Sequence, residues 1–215
     1  MKKIILPITI FIITIAACTK ENANKDDEYK NYLTKAEWTM STSSIINDTV
    51  TEHYTNGQPD EVFTLRHTTT IGTGTRKDEM YQLQQEVGFA DYSRKETYQY
   101  NFSIRYKFNE GGVYSINQST QLVSLTYEQT GTPVTTAPIT QPTATSSESK
   151  SWSWQNIDDM KYILTLDLGS LEVASISENT LILKLNTSDS KTVVINPQET
   201  KIVKTSQAIN IKMIR

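Results

Sequence analysis

Tyr98-Gln99-Tyr100-Asn101-Phe102-Ser103-Ile104-Arg105-Tyr106-Lys107-Phe108 is the stretch that decides the fold. Its even-numbered residues are all aromatic or aliphatic, and its odd-numbered residues are all polar. Side chains alternate across a strand with period two, so this pattern predicts a long antiparallel strand with one buried and one wet face. Asn109-Glu110-Gly111-Gly112 follows as a hairpin turn, and Val113–Ser119 begins the returning strand, with Leu122–Tyr127 extending it or forming another.

Upstream, Trp38–Ile46 reads as extended, Asn47-Asp48 as a turn and Thr49–Tyr54 as a return strand. Asn56-Gly57 is a strong turn dipeptide. Phe63, Leu65 and His67 alternate with Thr64 and Arg66, and Gly72-Thr73-Gly74 turns the chain. Met80–Phe89 reads as strand more readily than helix. Helical spacing is convincing only over Asp27–Ala36, where Tyr29, Tyr32, Leu33 and Ala36 share a face and Asp26 or Asp27 can cap the start.

Downstream, Thr130–Lys150 holds Pro133, Pro138 and Pro142 among Thr, Ser and Ala, and predicts a mobile loop between strands or a boundary between two domains. Short strands then follow at Ser151–Gln155, Lys161–Leu168, Leu171–Ile176, Leu181–Leu185 and Val193–Ile195, with a last pair inside Lys201–Ile214. Turn residues separate them at Asp158-Asp159, Gly169-Ser170, Glu178-Asn179, Ser188-Asp189 and Asn196-Pro197. The expectation is an all-β domain over residues 28–215 with a short N-terminal helix, its antiparallel meander closed into a barrel or folded as a β-sandwich.

The N-terminus carries a different message. Lys2-Lys3, an apolar run from Ile4 to Ala17 and small residues before Cys18 make a secretory signal, too short for a comfortable membrane span. An ordinary signal peptide cut elsewhere is the alternative. The position of Cys18, the one cysteine of the chain, resembles the lipobox of bacterial lipoproteins, which implies acylation of Cys18 after removal of residues 1–17. Residues 18–27 then form a polar tether, with a membrane as the partner held through the anchor. Lys20-Glu21 and Lys25-Asp26-Asp27 loosely resemble the lysine-plus-acid export signals of surface lipoproteins in the Bacteroidota, and read equally well as solvated linker.

Without residues 1–17 the chain has 198 residues (215 − 17), and its charge of −3 becomes −5 with the loss of Lys2 and Lys3. The charge is spread with no basic stripe, which argues against nucleic acid as a partner. With Cys18 acylated no thiol remains for a disulfide, a metal or catalysis, so the fold rests on its hydrophobic core.

Several short motifs in order are similar to the lipocalin-like lipoproteins of the Bacteroidota. They are Tyr32-Leu33-Thr34 leading to Trp38, Phe108-Asn109-Glu110-Gly111-Gly112-Val113-Tyr114, Ser151-Trp152-Ser153-Trp154, Leu171–Ile176 and Leu181–Leu185. The resemblance implies a calycin-type barrel in the cell envelope, on the outer membrane. It covers most of residues 29–185 and departs from the family in the Thr/Pro-rich insert and the stretch after Leu185.

Chemistry is sparse. His53 and His67 are the two histidines and stand in no metal-ligand spacing, and His67 reads as an interior or rim residue. No nucleophile elbow, phosphate loop or dinucleotide fingerprint occurs, so the chain reads as neither an enzyme nor a cofactor protein. The inward aromatics Trp38, Tyr98, Tyr100, Phe102, Tyr106, Trp152 and Trp154 are the candidates for gripping a small apolar or glycan-derived ligand, against plain core packing. Asp48-Thr49-Val50 resembles the O-glycosylation motif of secreted Bacteroidota proteins, placing a modification at Thr49 in the expected turn. Two roles stay open: a ligand-binding barrel, or an envelope interaction module with a filled core that docks on other envelope proteins.

Overall fold

The computed structural model describes residues 25–139, 141–158 and 161–215. The signal segment, Cys18, most of the tether and Asp159 lie outside the described residues. A ten-residue helix α1 (25–34) leads into twelve strands: β1 (Glu37–Thr55), β2 (Gln58–Gly72), β3 (Thr75–Glu86), β4 (Tyr92–Phe108), β5 (Val113–Gln129), β6 (Thr135–Pro138), β7 (Ala144–Ser151), β8 (Ser153–Asp158), β9 (Lys161–Leu166), β10 (Gly169–Ile176), β11 (Thr180–Asn196) and β12 (Glu199–Ile214). The fold is all-β, and every strand pairing is antiparallel. The strands form one sheet in the order β6-β5-β4-β3-β2-β1-β12-β11-β10-β9-β8, with β7 also on β5 and the start of β1 also on the end of β4. The expected sandwich alternative falls, because the strands make one sheet and not two.

That sheet has two regions. At its base, Trp38 pairs with Tyr106 on β4 while Met40 pairs with Met213 on β12. The run β5-β4-β1-β12-β11-β10-β9-β8 then closes by chain continuity. β7 pairs with β5, β8 pairs with β9, and only Trp152 separates β7 from β8. The Trp152 N–H donates to the Gly112 carbonyl at 2.8 Å. Gly112 has φ +75°, and a Cβ there would stand 3.4 Å from the Trp152 carbonyl, so glycine serves both the turn and the seam. The ring encloses one apolar core: Trp38, Phe108, Tyr114, Leu164, Leu171, Leu181, Leu183, Ile211 and Met213 are essentially solvent-free, with Leu33 of α1 closing the end. The Trp38 indole N–H donates to the Leu33 carbonyl at 2.9 Å, and the Arg215 guanidinium lies 4.4 Å above its ring, so helix, first strand and chain end meet at one side chain.

Above the base, the hairpin β2–β3 wedges between β1 and β4, and five strands run on past the barrel. Ten residues of β1 beyond Ile45 span about 33 Å at ~3.3 Å each. Beyond the level of Ile45 and Ile209, no hydrophobic side chain among the described residues of this upper wall reaches the burial of the core, although Ile71 at the foot of the β2–β3 hairpin, 7% exposed, still belongs to it. β-Bulges mark the junction: Ser41 is unpaired between Met40 and Thr42, and Val123 lies where the β4–β5 register shifts. Such insertions bend a strand and sharpen its twist, which fits a change from closed ring to open wall.

Several expectations are corrected here. Asn47-Asp48 is no turn: both lie within β1, where Asp48 accepts from Arg66 of β2 at 2.7 and 2.9 Å. Thr49 therefore stands mid-strand, opposite Leu65 and Thr205. Ser188-Asp189 is likewise no turn, since Thr180–Asn196 is one strand, and Lys201–Ile214 belongs to the single strand β12. Asp26 lies inside α1, bonded to Lys30, and not at a cap. The Thr/Pro-rich stretch is not a free loop. β6 and β7 lie along β5 in succession, pairing with Ser124–Tyr127 and Val113–Thr120, so they form one interrupted edge strand. Its prolines stand before it, at the end of β6 and in the interruption, the places an edge strand tolerates them. Asn56 (φ +51°) and Gly57 (φ +77°) make the type I′ turn the dipeptide predicts.

Candidate functional site

The registers fix which side chains share the wall's inner face, the one continuous with the barrel core. Moving outward, the cross-strand rows are Ser43–Ile71–Arg76–Tyr100, then Ile45–Thr69–Asp78–Tyr98, then Asn47–His67–Met80–Glu96, then Thr49–Leu65–Gln82–Arg94. β5 adds Leu122, Leu125 and Tyr127 opposite Tyr100, Tyr98 and Glu96. His67 thus continues the inward face but is exposed, beyond the buried interior.

Two arginine–carboxylate pairs organise this surface. Arg76 bonds Asp78 through Nε (3.0 Å) and Nη2 (2.7 Å), while Thr69 donates to the same carboxylate at 2.8 Å. The Arg76 guanidinium lies 5.5 Å from the Tyr100 ring centre and 5.6 Å from that of Phe102. One row outward, Arg94 bonds Glu96, Tyr98 donates its hydroxyl to Glu96 at 2.8 Å, and Arg94 lies 5.3 Å from the Tyr127 ring centre. The Tyr98 hydroxyl and the Arg94 guanidinium hold the Glu96 carboxyl below the usual carboxylate range. Burial first, then the Asp78 charge, raises the Tyr100 phenol. Asp78 and Glu96 are nearly buried although they stand on the wall. At the floor of the face the Ser43 hydroxyl is buried without a hydrogen-bond partner among the described residues, and the Arg94 Nε is in the same position higher up. The arrangement offers half-exposed tyrosine faces beside fixed donors and acceptors.

The seven candidate aromatics separate into three places. Trp38, Phe102 and Tyr106 belong to the buried core, where Tyr106, Phe108 and Tyr114 stack on one another with centroids 5.4 to 6.5 Å apart. Trp152 and Trp154 are half-buried at the base. Trp152 meets Phe108 edge-on at 5.8 Å and donates to the Asn109 carbonyl at 3.0 Å. Trp154 packs 5.2 Å from Tyr162 and donates to Asp26 of α1 at 2.6 Å. Tyr98 and Tyr100 alone stand half-exposed on the wall. Sequence reasoning missed Arg76, Asp78, Arg94, Glu96 and Tyr127. Their signal is a basic residue followed two positions later by an acidic one, which puts both on the same face of a strand.

A second polar cluster locks the base. Tyr114 donates to Asp167 at 2.5 Å, and Lys150 bridges Asp167 and Glu148, joining β5, β7 and the β9–β10 turn. Burial first, then the bond to Asp167, raises the Tyr114 phenol to about 12, and the carboxylates raise Lys150 to about 12. Among the described residues no group of three or more His, Cys, Asp or Glu is placed to hold a metal, and no helix is long and apolar enough to cross a membrane.

No family model matches the chain, and no curated protein matches it. Solved structures do. Neisserial surface protein A aligns over 82% of this chain and 97% of its own, at 6% identity and a TM-score of 0.20. Ail, the attachment invasion locus protein of Yersinia pestis, aligns over 80% of this chain and 98% of its own with a TM-score of 0.18, at 7% identity in its complex with the heparin analogue sucrose octasulfate and 10% without it. Likeness that loose carries no argument about fold or role.

Proposed function

We propose that this protein is a non-enzymatic, lipid-anchored binding protein of the cell envelope, in which a lipocalin-like barrel serves as a filled pedestal and the inner face of the wall takes a glycan-derived ligand. The observation that carries the reading is the division of the aromatic residues. Those deepest in the barrel fill its core, while Tyr98, Tyr100 and Tyr127 stay accessible beside Arg76, Asp78, Arg94 and Glu96. Sugar rings stack on aromatic faces, and their hydroxyls can add hydrogen bonds to preset carboxylates and guanidiniums, whereas a purely apolar ligand would strip water from these ion pairs and offer no hydrogen bond in return. The anchor at Cys18 and the tether account for the envelope location.

The test is native mass spectrometry of the full chain, extracted in mild detergent from its own membrane, beside the Tyr98→Ala/Tyr100→Ala variant. The expected result is a discrete extra mass that denaturation removes and the double variant lacks, with both proteins showing the same far-ultraviolet circular dichroism and a cooperative melt. A bare wild-type mass, or an adduct the variant keeps, sinks the proposal.

A second reading, a module that docks on other envelope proteins, draws on the far end of the wall. The β1–β2, β3–β4, β5–β6 and β11–β12 turns gather there, and Val87, Phe89, Val134 and Val194 are each more than 60% exposed. A second polypeptide in the same spectrum, released by Phe89→Ser, supports that reading.

A further inference from the structure

We propose that the outer half of β11 pairs with β11 of a second copy, joining two walls into one antiparallel sheet about a two-fold axis at Ser190. β10 covers β11 only as far as Lys184, so beyond that residue β11 has β12 on one side and, among the described residues, no strand on the other. The uncovered side carries Asn186-Thr187-Ser188-Asp189-Ser190-Lys191-Thr192-Val193-Val194-Ile195, all exposed and free of proline and glycine. The Ser190 N–H donates to the carboxylate of its own neighbour Asp189 at 2.9 Å, a local substitute for an absent strand. An edge of this length, bare of bulges until Val194, is a template for a further strand.

Charge selects the occupant and the register. Two copies related by a two-fold normal to the sheet keep their faces aligned, which restricts paired residue numbers to even totals. Centring the pair on Ser190 sets Asp189 opposite Lys191 of the other copy, and symmetry repeats the contact. Shifting the centre by one residue either way sets Asp189 opposite Asp189 or Lys191 opposite Lys191. Opposite charges directly across an antiparallel pair stabilise it and like charges oppose it. In the favoured register the Ser190 N–H exchanges the Asp189 carboxylate for the partner's backbone and frees that carboxylate for the lysine. Pairing runs from Thr187 to Val193, between the part of β11 that β10 covers and the register shift that begins at Val194. This proposal uses neither the tyrosines nor the arginines of the inner face and stands apart from the ligand reading.

The experiment is analytical ultracentrifugation of the full chain in detergent, with three charge variants. The expected outcome is a concentration-dependent dimer whose dissociation constant rises roughly tenfold or more in Asp189→Lys alone and in Lys191→Asp alone, and returns to near the wild-type value in the double variant. As an independent readout, Ser190→Cys is expected to form an intermolecular disulfide on mild oxidation, because residues directly opposite stand about 5.5 Å apart in a hydrogen-bonded pair, within disulfide reach. A monomer at all concentrations with no cross-link in the Ser190→Cys variant, a dimer indifferent to the charge exchanges, or a cross-link to a different polypeptide each overturns the proposal.

Discussion

β1, β4, β5, β11 and β12 each pass through both regions of this molecule, and they behave differently in the two. In the barrel their inward residues are Trp38, Phe102–Phe108 in alternation, Tyr114, Ile116, Leu181, Leu183, Ile211 and Met213, nearly all free of solvent. A few residues onward the same strands carry threonines, serines and charges on both faces, and cross-strand ion pairs stand where the core leaves off: Arg66 with Asp48, Lys204 with Glu52, and Lys95 with Glu79, which Lys77 also meets along β3. Burial of apolar area contributes about 25 cal/mol per Å², whereas an exposed ion pair contributes ~0–1 kcal/mol. Strand formation alone therefore says little about local stability. A ladder can continue far beyond its core if backbone hydrogen bonds, side-chain pairs and a rooted base support it.

The largest expected effect separates the regions within one strand. Ile211→Ala is expected to cost ~2–5 kcal/mol in denaturant unfolding, and Val203→Ala, on the same face of the same strand, about 1 kcal/mol or less. Amide exchange should follow the same gradient, slow from Ile209 to Met213 and fast from Thr200 to Lys204. Equal costs, or uniform protection along β12, would break the comparison.

Next comes alkaline sensitivity, which belongs mainly to the base, where the shifts are larger than those of wall groups such as Tyr98 and Tyr100. The folded-state values of Tyr114 and Lys150 are raised above those of the unfolded chain, so their stabilisation is complete below pH 10 and is lost as pH rises towards about 12. Tyr114→Phe is expected to flatten that limb of the melting-temperature profile. An unchanged slope would remove the Tyr114–Asp167 lock from the account.

Acid sensitivity belongs mainly to the wall, where Glu52, Glu79 and Glu96 are held below their ordinary value of 4.5. A lowered folded-state value means stabilisation present above pH 4.5 and lost as pH falls beneath it. Glu96→Gln, which weakens the hold on Arg94 and Tyr98, is expected to cost about 1 kcal/mol at pH 7 and to blunt the acid loss. Amide exchange in β3 and β4 of the wall reads this locally, and an acid response confined to the base would contradict it.

The smallest effect is Gly57→Ala at the wall's far turn. Its φ of +77° disfavours alanine by ~1 kcal/mol, but the strain falls at a turn remote from the buried core, so the global midpoint is expected to move little while exchange at Thr55 and Gln58 quickens. A large shift of the midpoint would mean that the wall unfolds together with the barrel.

The same contrast explains what was legible in the sequence. The barrel could be read because its strands alternate: Tyr98–Phe108 marked β4, and Tyr162, Leu164 and Leu166 marked β9. Among the described residues the wall has no second layer to pack against, so the period-two signal fades, and polar pairs such as Asn47-Asp48 and Ser188-Asp189 imitate turns. The real turns announce themselves through residues with special backbone needs, Asn56-Gly57, Thr73-Gly74 and Pro197. Tyr98 and Tyr100 could be singled out as aromatic. Their arginine and carboxylate neighbours come from β3 and from further along β4, and only the register brings them together.

β12, the last of the strands, lies between the first, β1, and β11. Sixteen positions of β1, from Thr39 to Thr55, wait for partners that the ribosome makes more than 140 residues later. The barrel therefore cannot close until β12 has been made, however early β1 emerges. The earliest strand must wait for the latest, and the slow step of folding is the return of β12 to β1 across that distance in sequence.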